Sequence, residues 1–324
     1  MTNTTRKISI LLPMVYIGII VVKDYLVNLL VYMNDSEKGL AYISLKSALI
    51  QAVILICGAL AFIYIKYITM RKEAVYNGEE AQSFLEIGGF RKISLSEAGA
   101  AVLIGTLSYI AFNSLKNVYM MFKFCVYGDA GFAAEKIPVG SGEFLFLLFI
   151  FAFLMVIGEE LVYRSMLFYN LYCKGKKNVF SILFCILVFA AAHGSVEQML
   201  QAAFLALLLC TITIKSQSVF ICVIIHMIYN VLGTTITYYN PMFMLEFFGA
   251  GYDMLQVDGM IVAVKLLLAA VIATTLLFLL VQSRGIRKIS VSELAVKKNL
   301  TGKEGILLGV ILIYSIYKIY KVLQ

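Results

Sequence analysis

Apolar positions in this chain form long runs separated by short clusters of charge, falling at 8–31, 43–69, 97–121, 144–172, 178–194, 196–214, 217–238, 259–282 and 305–323. A helix needs about 20 apolar residues to cross the hydrocarbon of a bilayer, and most of these runs are long enough. Within lipid a helix satisfies its own backbone polar groups, which an open strand cannot do. The pattern predicts an all-α polytopic transmembrane helical bundle of about eight or nine spans. The first run is interrupted by Lys23 and Asp24, a pair that water at the bilayer edge would satisfy. Arg6 and Lys7 before an apolar run also fit a signal peptide. No small-residue cleavage site follows, so a retained span is expected.

Composition removes the soluble alternatives. Apolar residues make up 61% of 324 positions and charged residues 14%, with a mean hydropathy of +0.91. A soluble domain of this length carries far more polar surface. There is no Pro- or Ser-rich linker, so residues 1–324 are expected to form a single integral membrane domain.

The net charge of +8 resides largely in alternate loops. Arg71, Lys72, Arg91 and Lys92 follow the second run, and Lys174, Lys176 and Lys177 the fourth. Lys215 follows the sixth, and Arg284, Arg287, Lys288, Lys297, Lys298 and Lys303 the eighth. The intervening loops carry Asp35, Glu37, Asp129, Glu135, Glu246, Asp253 and Asp258. Basic loops stay in the cytoplasm, so the N-terminus is expected there, in a multi-pass cell-membrane protein. Lys318 and Lys321 break this alternation and suggest that the last segment lies in the interface. The counter-charge is the lipid bilayer, and the scattered basic clusters offer no reading face for nucleic acid. Cys57, Cys185, Cys210 and Cys222 sit inside apolar runs without a CxxC pair, as reduced packing residues do. The segment from Gly89 to Glu97 is echoed from Gly285 to Glu293. In each copy a serine and a glutamate, Ser94 with Glu97 and Ser290 with Glu293, have the spacing of a helix capping box.

The chemistry concentrates between residues 144 and 240. In the run starting at Phe144, Glu159, Glu160 and Arg164 interrupt an otherwise apolar helix. An unpaired charge at mid-membrane costs at least about 3 kcal/mol, so such groups pair or line a wet cavity. Glu160 and Arg164 are four residues apart on one face and can pair within the helix. Glu159 points about 100° away and must find water, a proton or a partner elsewhere. The two histidines, His193 and His226, both belong to apolar segments, and Asn230 follows His226 by one turn. Counted from the turn at Gly175, Glu159 and His193 lie at helical rises of about 24 and 27 Å. Counted from Ser216, His226 and Asn230 lie at about 15 and 21 Å. A carboxylate, two imidazoles and an amide can thus meet at similar depth.

Glu159-Glu160-Leu-Val-Tyr-Arg164 has the form EExxxR, Phe189-Ala-Ala-Ala-His193 the form FxxxH, and His226-Met-Ile-Tyr-Asn230 the form HxxxN. In this order, on successive apolar helices, the set resembles the CAAX protease and bacteriocin-processing (CPBP or Abi) family. The resemblance covers 144–240, the expected catalytic core. It implies a hydrolase, a glutamic intramembrane endopeptidase with no cofactor or metal. In it Glu159 would be the general base on water and His193 its partner, with His226 and Asn230 donating to the oxyanion. Glu160, Arg164 and Phe189 would support them. Spacing alone does not choose between the glutamates; Glu159 is favoured because Arg164 is geometrically committed to Glu160. Where family members have glycines after the first histidine, this chain has Ala202, Ala203 and Ala206, so close packing there is less assured.

Other functions fit parts of the pattern. The ionisable groups suit a purely structural role, and two carboxylates with two histidines suit zinc, although no HExxH is present. A proton-coupled transporter would show broken helices in two halves, whereas the polar groups here lie in one. A non-catalytic family member acting as scaffold or immunity factor fits the same motifs. The expected substrate is a peptide or protein in or at the membrane. Richness in Lys, Ile and Tyr without Trp suits an AT-rich bacterial gene, which favours bacterial peptide maturation, bacteriocin self-protection or signalling over CAAX prenyl processing.

Overall fold

The computed structural model describes residues 3–33, 40–78, 80–127, 141–173, 178–239, 259–282 and 302–323. These form helices α1 (Asn3–Met33), α2 (Leu40–Asn77), the short α3 (Phe84–Ile87) and α4 (Leu95–Tyr127). There follow α5 (141–173), α6 (Asn178–Ala190), α7 (Val196–Ser216), α8 (Val219–Tyr239), α9 (Gly259–Gln282) and α10 (Gly302–Leu323). No strand occurs among the described residues. Eight of the helices are long and apolar enough to span a bilayer. The protein is an all-α polytopic bundle.

The expected span at 178–194 is shorter in the structure. Helix α6 has 13 residues and ends at Ala190, and residues 191–195 form a turn before α7. At 1.5 Å per residue α6 rises about 20 Å, well short of a hydrocarbon core of about 30 Å. Apolar composition marked the run, but past Ala190 the backbone tightens to i→i+3 bonds, Ala192 N–H to Phe189 O at 3.2 Å and His193 N–H to Ala190 O at 3.0 Å, and Ser195 then caps α7 by accepting from the Gln198 N–H at 3.2 Å.

Helix α5 is the centre of the bundle and is not uniformly wound. At Phe149–Leu154 and Glu160–Phe168 its hydrogen bonds widen to i→i+5, as in Met155 N–H to Ile150 O and Tyr169 N–H to Arg164 O. Such widening is rare and often marks functional positions. One apolar core gathers α1, α2, α5, α6, α7 and α10, and a second gathers α4, α7, α8 and α9. Two glycines allow close backbone approaches between helices. A Cβ on Gly158 of α5 would stand 2.9 Å from Leu55 Cβ and 3.2 Å from Ala52 O of α2. A Cβ on Gly105 of α4 would stand 2.8 Å from Ile225 O of α8. Despite the missing glycines, Ala202 and Ala206 are buried between α7 and its neighbours, so small side chains still serve close packing.

The first of the repeated segments anchors one end of the bundle. Gly89, at φ +77°, accepts the Val219 N–H at 2.9 Å, and Arg91 Nε donates to Ser216 O at 3.0 Å. The Ser94 capping box is formed, with Glu97 N–H on Ser94 Oγ at 3.2 Å and Ser94 N–H on Glu97 Oε2 at 2.9 Å. Its echo at 285–293, the acidic loops, and the basic positions from 174 to 177 and from 284 to 298 lie outside the described residues.

Both terminal helices depart from expectation for one reason. Asp24 of α1 is reached by Lys318 Nζ of α10 at 3.1 Å and accepts a hydrogen bond from Tyr314 Oη. Lys318 therefore does not require the interface, and α10 has the length and composition of a span. Asp24 is held by protein, not by water at the bilayer edge.

Candidate active site

The functional groups of the sequence converge on one cavity of about 550 Å³, walled by α1, α2, α5, α6, α7, α8 and the 191–195 turn. Glu159, His193, His226 and Asn230 all line it. The helical order explains the convergence. Helices α6 and α7 return on each other through the turn that carries His193, and α8 then packs along α5, so that both histidines face the EExxxR segment.

The two glutamates occupy different environments. Glu160 and Arg164 are fully buried, with Arg164 Nε 3.2 Å from Glu160 Oε2. The Arg164 guanidinium also lies 4.5 Å from the centre of the Phe189 ring, a cation–π contact. None of its nitrogens has a hydrogen bond of good geometry, so charge contact and the ring hold it in place. Glu159 keeps 15% of its side chain exposed, and that exposure is to the cavity. The i, i+4 pairing leaves Glu159 as the carboxylate that water can reach.

The His226 ring bridges the pair. Its Nδ1 lies 2.8 Å from Glu160 Oε1 and its Nε2 3.7 Å from Glu159 Oε2. A carboxylate only accepts, so Nδ1 carries the proton in that contact, and Nε2 is left toward Glu159. His193 Nδ1 lies 3.0 Å from the Phe189 carbonyl, which likewise fixes the Nδ1–H tautomer and leaves its Nε2 as an acceptor. His193 was expected to hold a water together with Glu159; the imidazole within 4 Å of the Glu159 carboxylate is that of His226, and His193 lines the same cavity. Asn230 Nδ2 donates to Phe151 O at 3.1 Å, which fixes the amide and leaves its second N–H for another acceptor.

Phe189 unites the three motifs. Its ring is 1% exposed and stands edge-on to His193 at 5.1 Å, His226 at 6.0 Å and Tyr163 at 4.9 Å. The FxxxH spacing thus places the ring and carbonyl that orient His193 one turn before it.

The structure adds Lys23, Gln51 and Gln198 to the walls of the cavity. Lys23 gave the same signal as Glu159, a charge within an apolar run. Its placement depends on α1 packing against α2 and α10, which no local spacing records. Among the described residues no group of three or more His, Cys, Asp or Glu side chains is arranged to hold a metal ion.

Comparison with known proteins agrees on the segment. Residues 141–232 match the family model described as Type II CAAX prenyl endopeptidase Rce1-like. No curated protein and no solved structure matches the chain. The matched segment holds Glu159, Glu160, Arg164, Phe189, His193, His226 and Asn230, and over these residues the chain is similar to the CAAX-type proteases of the CPBP (Abi) family.

Proposed function

We propose that the protein is a glutamic intramembrane endopeptidase that cleaves a membrane-associated peptide or protein. The observation that carries this is the division of labour between adjacent glutamates: Glu160 is neutralised by Arg164 in the core, and Glu159 faces the cavity. Glu159 takes a proton from a water held with the acceptor Nε2 of His193, and the resulting hydroxide attacks the scissile carbonyl. The proton then passes to the leaving amine. A positioned base of this kind contributes about 10²–10⁴ in rate.

The oxyanion is received by His226 and Asn230. With Nδ1–H committed to Glu160, His226 offers an Nε2–H only as the imidazolium, and carboxylates at 2.8 and 3.7 Å are the counter-charges that such a cation needs. Each donor of this type is worth about 10²–10³ in rate. No step requires a metal or a cofactor.

We place the protein in a bacterial cell membrane with the N-terminus and the basic loops in the cytoplasm, and assign it to peptide maturation, bacteriocin self-protection or signalling. The test compares membranes carrying the wild-type protein with membranes carrying Glu159→Gln, by mass spectrometry of new peptide termini. New termini that depend on Glu159 are expected. Identical terminus profiles, with both proteins present at equal level, would overturn the proposal.

A further inference from the structure

A peptide entering this cavity brings one N–H and one C=O with almost every residue, and in a water-poor site each needs a partner. A sheet edge would supply both, as in recognition by strand addition. No strand occurs among the described residues, and the cavity walls are helices, whose backbone groups are spent within each helix. Phe151 O, in a widened turn of α5, is already taken by Asn230 Nδ2 at 3.1 Å. Partners for a substrate backbone must therefore be side chains.

Three glutamines line the cavity without a part in the mechanism above, Gln51 of α2 and Gln198 and Gln201 of α7. A primary amide carries the same donor and acceptor as a peptide group, with no charge to desolvate. A polar side chain within an apolar span ordinarily bonds across to a neighbouring helix. Gln51 makes no such bond among the described residues. Its neighbour Ala52 forms the close approach to Gly158, the residue before Glu159, so Gln51 and Glu159 reach the cavity from one α2–α5 contact. On α7, Gln201 Nε2 reaches Asn113 Oδ1 of α4 at 3.5 Å, and Asn113 Nδ2 donates to Tyr109 Oη at 3.2 Å. These bonds orient the Gln201 amide and leave its Oε1 for a donor in the cavity.

We infer that Gln51 and Gln201 bind the main chain of the substrate in place of a sheet edge, so that the enzyme takes an extended, unwound peptide segment and reads its backbone more than its side chains. This rests on the peptidase reading of the cavity. Gln201 Oε1 accepts a backbone N–H, and the Gln51 amide accepts one and donates to a carbonyl. Both touch the substrate away from the scissile bond, as specificity-determining residues.

The test uses the full-length protein in lipid nanodiscs and two pools of fluorescent lipidated peptides of the same degenerate sequence. One pool has amide linkages throughout. In the other, ester linkages replace alternate amides, which removes N–H donors without adding bulk or charge. Binding to the Glu159→Gln variant is followed by anisotropy, and cleavage of the amide pool by the wild type is followed by mass spectrometry. A neutral hydrogen bond is worth about two- to tenfold in affinity, so at least about a fivefold preference for the amide pool is expected. In the Glu159→Gln background, Gln51→Met and Gln201→Met each lower that preference and together abolish it. A merely structural glutamine would weaken both pools equally and leave the ratio unchanged. Equal binding of the two pools, a preference that survives both substitutions, or binding of neither pool would overturn the inference. Glu159-dependent cleavage with equal binding of the pools would sink this inference alone. Glutamine-dependent preference without Glu159-dependent cleavage would instead keep this site and sink the peptidase proposal.

Discussion

Replacing Glu160 by glutamine tests the arrangement on which the mechanism depends. The substitution preserves shape and removes one charge from a site where Glu160 and Arg164 have no exposure. Two contacts lose their ionic partner at once, Arg164 Nε at 3.2 Å and His226 Nδ1 at 2.8 Å. The guanidinium nitrogens have no well-formed hydrogen bond to fall back on. Leaving one member of a buried pair uncompensated costs about 3–5 kcal/mol. At about 2–4 °C per kcal/mol for a chain of this order of size, the unfolding temperature in detergent should fall by about 10 °C. The assay is fluorescence-detected unfolding of the purified variants, extended to a double-mutant cycle. Arg164→Met alone should also destabilise, and adding it to Glu160→Gln should recover stability, because the unpaired charge then disappears. The coupling should be at least about 1 kcal/mol. A Glu160→Gln protein that melts within about 2 °C of wild type, or two lesions that simply add, would refute the assignment of Glu160 to structure.

Glu159→Gln should lower the cleavage rate by about 10²–10⁴ while leaving the unfolding temperature close to that of wild type, measured on a substrate identified from membrane proteomics. Zinc should be absent at stoichiometric level by elemental analysis, and activity should survive a strong chelator; activity lost on chelation and restored by zinc would replace the carboxylate mechanism by a metal one. Gly158→Val should cost about 1–3 kcal/mol by overpacking against Leu55 and Ala52, and should reduce turnover through the adjacent Glu159. Leu55→Ala in that background should restore part of both, and its failure to do so would dissociate the α2–α5 contact from the site.

The parts legible in the sequence were those with local geometry. The Glu160–Arg164 pair follows from a spacing of four on one helix, and the exclusion of Glu159 from that pair follows from the same geometry. The bundle itself was visible because lipid makes hydropathy a direct record of helical spans. The remainder depends on contacts between distant segments. Asp24 meets Tyr314 across 290 positions, so neither the partnering of Lys318 nor the direction of Lys23 could be read locally. The contact of His226 with both carboxylates is set by the packing of α8 on α5. The widened turns of α5 are a change of hydrogen-bond register that leaves no trace in hydropathy.

Hydrolysis within a bilayer requires two reactants that do not mix: a peptide carried by lipid and water that lipid excludes. The shortness of α6 bears on where they can meet. With about 10 Å of the hydrocarbon left uncrossed, the chain must reverse inside the apolar layer. Backbone at that depth is tolerated only against protein or water. Ala192 and Gly194 of the reversal are exposed and border the cavity, beside His193. On the peptidase proposal, the missing turns of helix give water its route to His193. Supply of the second reactant becomes a matter of helix length, separable from the chemistry that consumes it.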